Sequence, residues 1–114
     1  MRQAQLRQNE VFRALADPTR RALLDLLRDD DANVGALVES FDMTQSAVSQ
    51  HLKVLRNAGL VHERKSGRER IYSLNAEPLA IAYDWFAHYT EFWETRLLNL
   101  GKHLRKRHAK KNPV

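Results

Sequence analysis

The hydrophobic period of this chain changes at Gly59, and that change limits the possible folds more than any other feature. Before it, Val48, Leu52 and Leu55 recur at helical spacing on a segment, Gln45–Ala58, that Thr44 is placed to cap and Gly59 to stop. After it, Leu60–Arg64 and Arg70–Leu74 read as two short strands joined by Lys65–Glu69, with Gly67 inside the connection. A helix that passes into a hairpin through one glycine belongs with it to a single folding unit.

The segments on either side read as helices. Gln5–Ala16 carries Leu6, Val11, Phe12 and Leu15 on one side. Asp17-Pro18 restarts the chain, because an aspartate accepts from free N–H groups and proline suits a first helical position. The helix that follows holds Ala22, Leu23, Leu26 and Leu27 at core spacing and ends in Asp29-Asp30-Asp31. Asn33 caps a short helix with Val34, Leu37, Val38 and Phe41 at i, i+3, i+4 and i+7. Asn75–Pro78 opens a last, long helix running towards Arg107. The expected fold is mainly α with a small two-stranded β wing, one domain over residues 1–107 followed by a basic, disordered tail at 108–114.

Composition narrows the class. A chain of 114 residues builds one core. Its longest apolar run, Leu79–Tyr83, stops at Asp84, far short of a membrane span, so no membrane partner is expected. Met1–Leu6 has one basic residue and no apolar block, which does not read as a signal peptide. With no cysteine there is neither a disulfide framework nor a thiolate metal site, and the cytoplasm is the expected location. The net charge of +5 is unevenly placed: residues 1–50 carry −2, 51–70 carry +4, 71–101 carry −3 and 102–114 carry +6. The basic patch inside the fold is therefore the stretch holding the hairpin, while the terminal run reads as a solvated tail.

Helix, tight turn, helix and basic hairpin follow one another in the order of a winged helix-turn-helix, whose second helix enters the DNA major groove. The side of that helix opposite its apolar stripe carries Gln45, Ser46, Ser49, Gln50 and Lys53, next to Thr44. Glutamine offers the paired donor and acceptor that reads adenine, serine serves bases or phosphates, and Lys53 a turn further on suits a phosphate. Arg64, Lys65, Arg68 and Arg70 would meet the backbone or the adjacent minor groove. His51 borders this face, where it packs or touches a phosphate, and Arg20 and Arg21 read as surface charges. A polar face on a lone helix is ordinarily just solvated; here the capped helix before it and the basic hairpin after it point to double-stranded DNA. The rival reading, a winged helix for protein or RNA contacts, would suit an acidic wing.

Particular motifs carry a family likeness. Phe12-Arg13-Ala14-Leu15-Ala16-Asp17-Pro18-Thr19-Arg20-Arg21, then Thr44 through Leu55, then Ala58-Gly59-Leu60-Val61 and Gly67-Arg68 through Tyr72 resemble the arsenic-repressor (ArsR) family over about Val11 to Leu74. The resemblance implies a homodimeric winged-helix repressor that binds an inverted repeat and releases it when an inducer, here unidentified, binds. Asp42 departs from the glycine such proteins often carry in the turn, a substitution aspartate can meet by adopting a left-handed backbone. Trp85, Tyr89 and Phe92-Trp93 resemble a metal-free branch of the family.

The final helix presents one stripe of Ala82, Phe86, Tyr89, Trp93, Leu97, Leu100 and Leu104, and a second of Trp85 and Phe92. One small domain needs a single stripe for its core, so the other is expected to face a second subunit. The expected dimer interface is Phe12, Phe86, Tyr89, Trp93, Leu97 and Leu100, with a ligand pocket among the aromatics as the alternative. No cofactor or metal is expected. Val34–Val38, where metal-sensing members carry Cys-x-Cys, has no ligand atom, and although Asp84, His88 and Glu91 share a helix face, the family's ligand spacing fails at Asn99. No His-Glu-x-x-His pair, glycine-rich phosphate loop or Gly-x-Ser-x-Gly elbow supports an enzyme.

Overall fold

Three polar side chains start three of the helices in the computed structural model, which describes residues 2–111 and the side chains of 2–103. Asp17 Oδ1 accepts from the N–H groups of Thr19 (2.7 Å) and Arg20 (3.2 Å) and begins α2, Pro18–Asp29. Asn33 Oδ1 accepts from Ala36 N at 2.8 Å and begins α3, Val34–Glu39. Thr44 Oγ1 accepts from Ala47 N at 3.1 Å and begins α4, Gln45–Asn57. Each such cap contributes about 1 kcal/mol. Ahead of them lies α1, Arg2–Leu15.

Gly59 ends α4 with φ at +79°. Its N–H donates to Arg56 O, and Leu60 N–H donates to Leu55 O, both at 2.9 Å, the bond pair of a Schellman motif. Leu55 and Leu60 are both fully buried, which supplies the apolar contact that accompanies it. A side chain at Gly59 would be strained by that φ and would also crowd Pro78 Cγ, 3.4 Å from the site of its Cβ. Asn75 fastens the same turn, donating from Nδ2 to Gly59 O (2.7 Å) and from its backbone to Leu60 O (2.8 Å).

The chain divides into two units, Met1–Ala82 and Tyr83–Val114. In the first, Ala14 of α1, Leu23, Leu24 and Leu27 of α2, Leu37 of α3 and Val48, Leu52 and Leu55 of α4 close a core with Leu60, Val61 and Tyr72. The sheet holding Val61 and Tyr72 has three strands, not the two expected: β1 (Ala32–Asn33), β2 (Val61–Ser66) and β3 (Glu69–Leu74), in the order β1-β3-β2 and antiparallel throughout. Ala32 pairs with Tyr72 and Asn33 with Ile71. Two residues are too few to show an alternating pattern, so β1 is invisible until β3 is beside it.

Other expectations shift in detail. Leu24 is buried where Leu26 was expected, and Leu6 lies exposed near the start of α1. No non-glycine residue among those described has positive φ, so Asp42 turns the chain without a left-handed backbone. The long final helix is two helices, α5 (Leu79–Ala87) and α6 (Thr90–Lys111). Hydrogen bonds from His88 N to Trp85 O (3.2 Å) and Tyr89 N to Phe86 O (2.9 Å) tighten the chain between them into i→i+3 turns. No glycine or proline marks this break, which is why spacing alone ran through it. The backbone of α6 continues past Arg107, where the basic tail was expected to begin, while residues 112–114 and the side chain of Leu104 lie outside the described residues.

Candidate nucleic-acid interface

The buried stripe of α4 orients its other side. Val48, Leu52 and Leu55 are fully enclosed, and Gln45, Ser46, Ser49, Gln50 and Lys53 are exposed on the helix they anchor. Thr44 is exposed as well, with its oxygen committed to the helix start and its hydroxyl hydrogen still available to a phosphate.

His51 has a different environment from its neighbours. It is half-buried, and its Nδ1 lies 3.3 Å from Arg20 Nη1. A guanidinium only donates, so Nδ1 accepts and the ring carries its proton on Nε2. Arg20 also donates from Nε to Ala14 O (2.7 Å) and from Nη2 to Arg13 O (2.8 Å), and Arg21 Nη1 donates to Leu15 O (2.6 Å). These two arginines, read from sequence as surface charges, close the carbonyl end of α1, where cations are favoured. Arg20 thereby links the end of α1 to α4. Burial raises the Asp17 carboxyl, but the N–H donors of Arg20 and Thr19, together with the Arg20 charge, hold the group below its ordinary value.

In the wing, Ser66 pairs with Glu69 across the two-residue turn Gly67-Arg68. Gly67 has φ at +63° and Arg68 is not positive, the pattern of a type II′ hairpin with glycine first. Lys65 stands directly opposite Arg70, a like-charge pair that Glu63 relieves by binding Arg70 diagonally. Glu63 also binds Arg56, from the last turn of α4. The Arg70 hydrogen bond is the largest influence on the Glu63 carboxyl; burial opposes it, Arg56 adds to it, and the group stays below its usual range. Arg64 meets Asp31 at 3.4 Å. Lys65 and Arg68 make no ion pair among the described residues.

Thus the expected basic set splits: Arg64 and Arg70 carry protein partners, and Lys65 and Arg68 are uncommitted. Gln45, Arg68 and Arg70 come together with Asn33, Val34, Gly35 and Glu69 around a groove of about 360 Å³ between the start of α4 and the wing. Sequence reading missed Arg56, Glu63 and Arg20, because each acts through a partner that only strand register or helix packing brings near.

The second unit is different in kind. Phe86, Tyr89, Trp93, Leu97 and Leu100 are 40–63% exposed, while Phe12, on α1, is half-buried. Trp85 meets Phe86 edge-on at 5.3 Å and Tyr89 at 5.1 Å, and Phe86 meets Trp93 at 5.7 Å. Tyr83, Phe86, Ala87, Thr90, Trp93, Glu94 and Leu97 line an apolar groove of about 480 Å³. Asp84 lies on α5 and Glu91 on α6, with His88 in the break between them, so the three do not lie on one continuous helix. Among the described residues, no three His, Asp or Glu side chains gather as a metal site. Nor is any helix among them long and apolar enough to cross a membrane.

Comparison with known proteins agrees with this geometry. A family profile described as "Bacterial regulatory protein, arsR family" matches residues 17–63. Transcriptional repressor SdpR of Bacillus subtilis is 36% identical over 81 residues, 71% of this chain and 90% of SdpR. HTH-type transcriptional repressor SmtB of Mycobacterium tuberculosis is 45% identical over 80 residues, 69% of this chain but 59% of SmtB. A crystal structure of an ArsR family transcriptional regulator superposes with a TM-score of 0.72 at 37% identity, covering 79% of this chain and 93% of that one.

Proposed function

This chain belongs to the arsR family of bacterial regulatory proteins, a family of DNA-binding transcriptional regulators and not of enzymes, and from that premise we propose that it is a homodimeric repressor of an inverted-repeat operator. The observation that carries the reading is the exposed row Gln45, Ser46, Ser49 and Gln50 on a helix anchored by three fully buried residues, beside a wing whose Lys65 and Arg68 are uncommitted. Gln45 and Gln50 read bases, Ser46 and Ser49 serve bases or phosphates, and Thr44 and Lys53 bind phosphates with the wing. His51, held by Arg20, presents its Nε2–H for a phosphate at the margin of that face.

Repression is proposed from the names of SdpR and SmtB. Dimerisation is proposed from the apolar surface of α5 and α6, with Phe12 contributing from α1; a two-fold pair of reading helices then requires a two-fold operator. The proposed location is the bacterial cytoplasm, where double-stranded DNA is the partner. Selection of bound sequences from random DNA, with the mass of the complex measured by sedimentation, tests these statements together. The expected result is an inverted repeat bound by two chains; a single half-site bound by one chain would refute the dimer.

A further inference from the structure

Two arginines flank one glutamate where α4 meets the wing. Arg56 Nη1 pairs with Glu63 Oε2 and Arg70 Nη1 with Glu63 Oε1, so each cation has its own carboxylate oxygen. The three side chains come from the end of α4, from β2 and from β3. The Glu63 side chain is 9% exposed, against 47% for Arg56 and 68% for Arg70. Its neighbours stabilise the charged form, and it in turn raises the Arg70 guanidinium above its ordinary value, so the cluster remains ionised. A carboxylate so enclosed and doubly paired is a fixed joint. Its location, between the reading helix and the strands that aim the wing, is where a joint would set their angle.

We propose that Glu63 is a positioning residue for DNA binding: it ties the end of the reading helix to the wing and withholds Arg56 and Arg70 from phosphates, leaving Lys65 and Arg68 as the wing's grip. The inference rests on the proposed DNA-reading face. It adds that Arg56, at the end of α4, and Arg70, in the wing, act on DNA only through Glu63. Withholding them favours discrimination, because cations that bind any phosphate strengthen random and selected DNA alike.

The test uses the full chain with Glu63→Gln and Arg70→Gln, titrated against a selected operator and against random duplex over a range of salt. Glu63→Gln keeps the shape and frees two arginines. It should strengthen random binding several-fold, steepen the log–log salt slope by up to about 0.9 per freed arginine, and lower the operator-to-random ratio by about tenfold, the size of a single mismatched base pair. Arg70→Gln should leave the slope at the parent value. If Arg70→Gln flattens the slope by about 0.9, Arg70 is a phosphate ligand and the proposal is overturned. An unchanged slope and ratio in Glu63→Gln would overturn it as well. Arg70 is largely exposed, so its variant decides the matter even where Glu63→Gln does not fold. A parent that prefers no sequence would refute the DNA-reading face itself, a result distinct from either variant's behaviour.

Discussion

Residues 2–82 and residues 83–111 put their apolar side chains to different ends. In the first unit, leucines and valines from four helices and the sheet converge on one another, and the largest of them are fully enclosed. In the second, Tyr83, Trp85, Phe86, Tyr89, Phe92, Trp93, Leu97, Leu98 and Leu100 are each at least 40% exposed. Apolar helical stripes thus give a closed core in one place and an open surface in the other. The difference lies in whether other elements arrive to cover the stripe. At about 25 cal/mol per Å² of apolar surface, an exposed face of aromatics is a standing drive for association.

The largest expected effect comes from charging the open surface. Trp93→Asp combined with Leu97→Asp should leave the first unit folded but give monomers by sedimentation at micromolar concentration. Operator affinity should fall by about 100-fold or more, since two linked half-site contacts become one. Full operator affinity in such a monomer would break the contrast between the two units.

Next comes the closed core. Leu52→Ala should cost about 2–5 kcal/mol of stability, measured by denaturant titration. That loss should be the same at low and high protein concentration, whereas the loss in Trp93→Ala should be largest at high concentration and shrink on dilution, as stability that comes from association does. Identical concentration dependence in the two variants would mean that the units do not differ as described.

Within the first unit, the reading helix and the wing can be separated in the same way. Gln50→Ala should weaken operator binding by about 1–3 kcal/mol and relax preference at one base step. Arg68→Ala should weaken operator and random DNA about equally, with a salt slope shallower by about 0.9. A Gln50→Ala protein that binds the operator as the parent does would remove that residue from the reading set. The smallest effect expected is none: zinc, cadmium or arsenite at low micromolar concentration should leave operator binding unchanged. Release by one of these ions, abolished in His88→Ala, would place a sensor on the second unit instead.

The parts that were legible in the sequence are those decided within a few residues. Asp17, Asn33, Thr44 and Gly59 mark helix ends because a cap and its target are neighbours in the chain, and all four do so in the fold. The exposed face of α4 followed from its apolar period. What escaped depends on distant partners. Ala32–Asn33 becomes a strand only beside β3, Leu24 replaces Leu26 because packing sets the helix's rotation, and the α5–α6 break lies in a stretch without a breaker residue. Glu63 has no signal of its own in the sequence. Its meaning came from the register, which sets it across from Tyr72 and diagonal to Arg70.

Gly59 and Gly67 tolerate a change of chain length very differently. Around Gly59 the Schellman bonds, the Asn75 side chain and Pro78 all close on the same turn. One residue inserted there would break the Schellman bonds and shift the start of β2 relative to α4. Gly67 has no atom within 4 Å of where a Cβ would lie. Residues added at that tip enter solvent, and the closure entropy they cost grows only with the logarithm of their number. The wing can therefore be lengthened at Gly67 while the angle at which α4 is presented stays as it is.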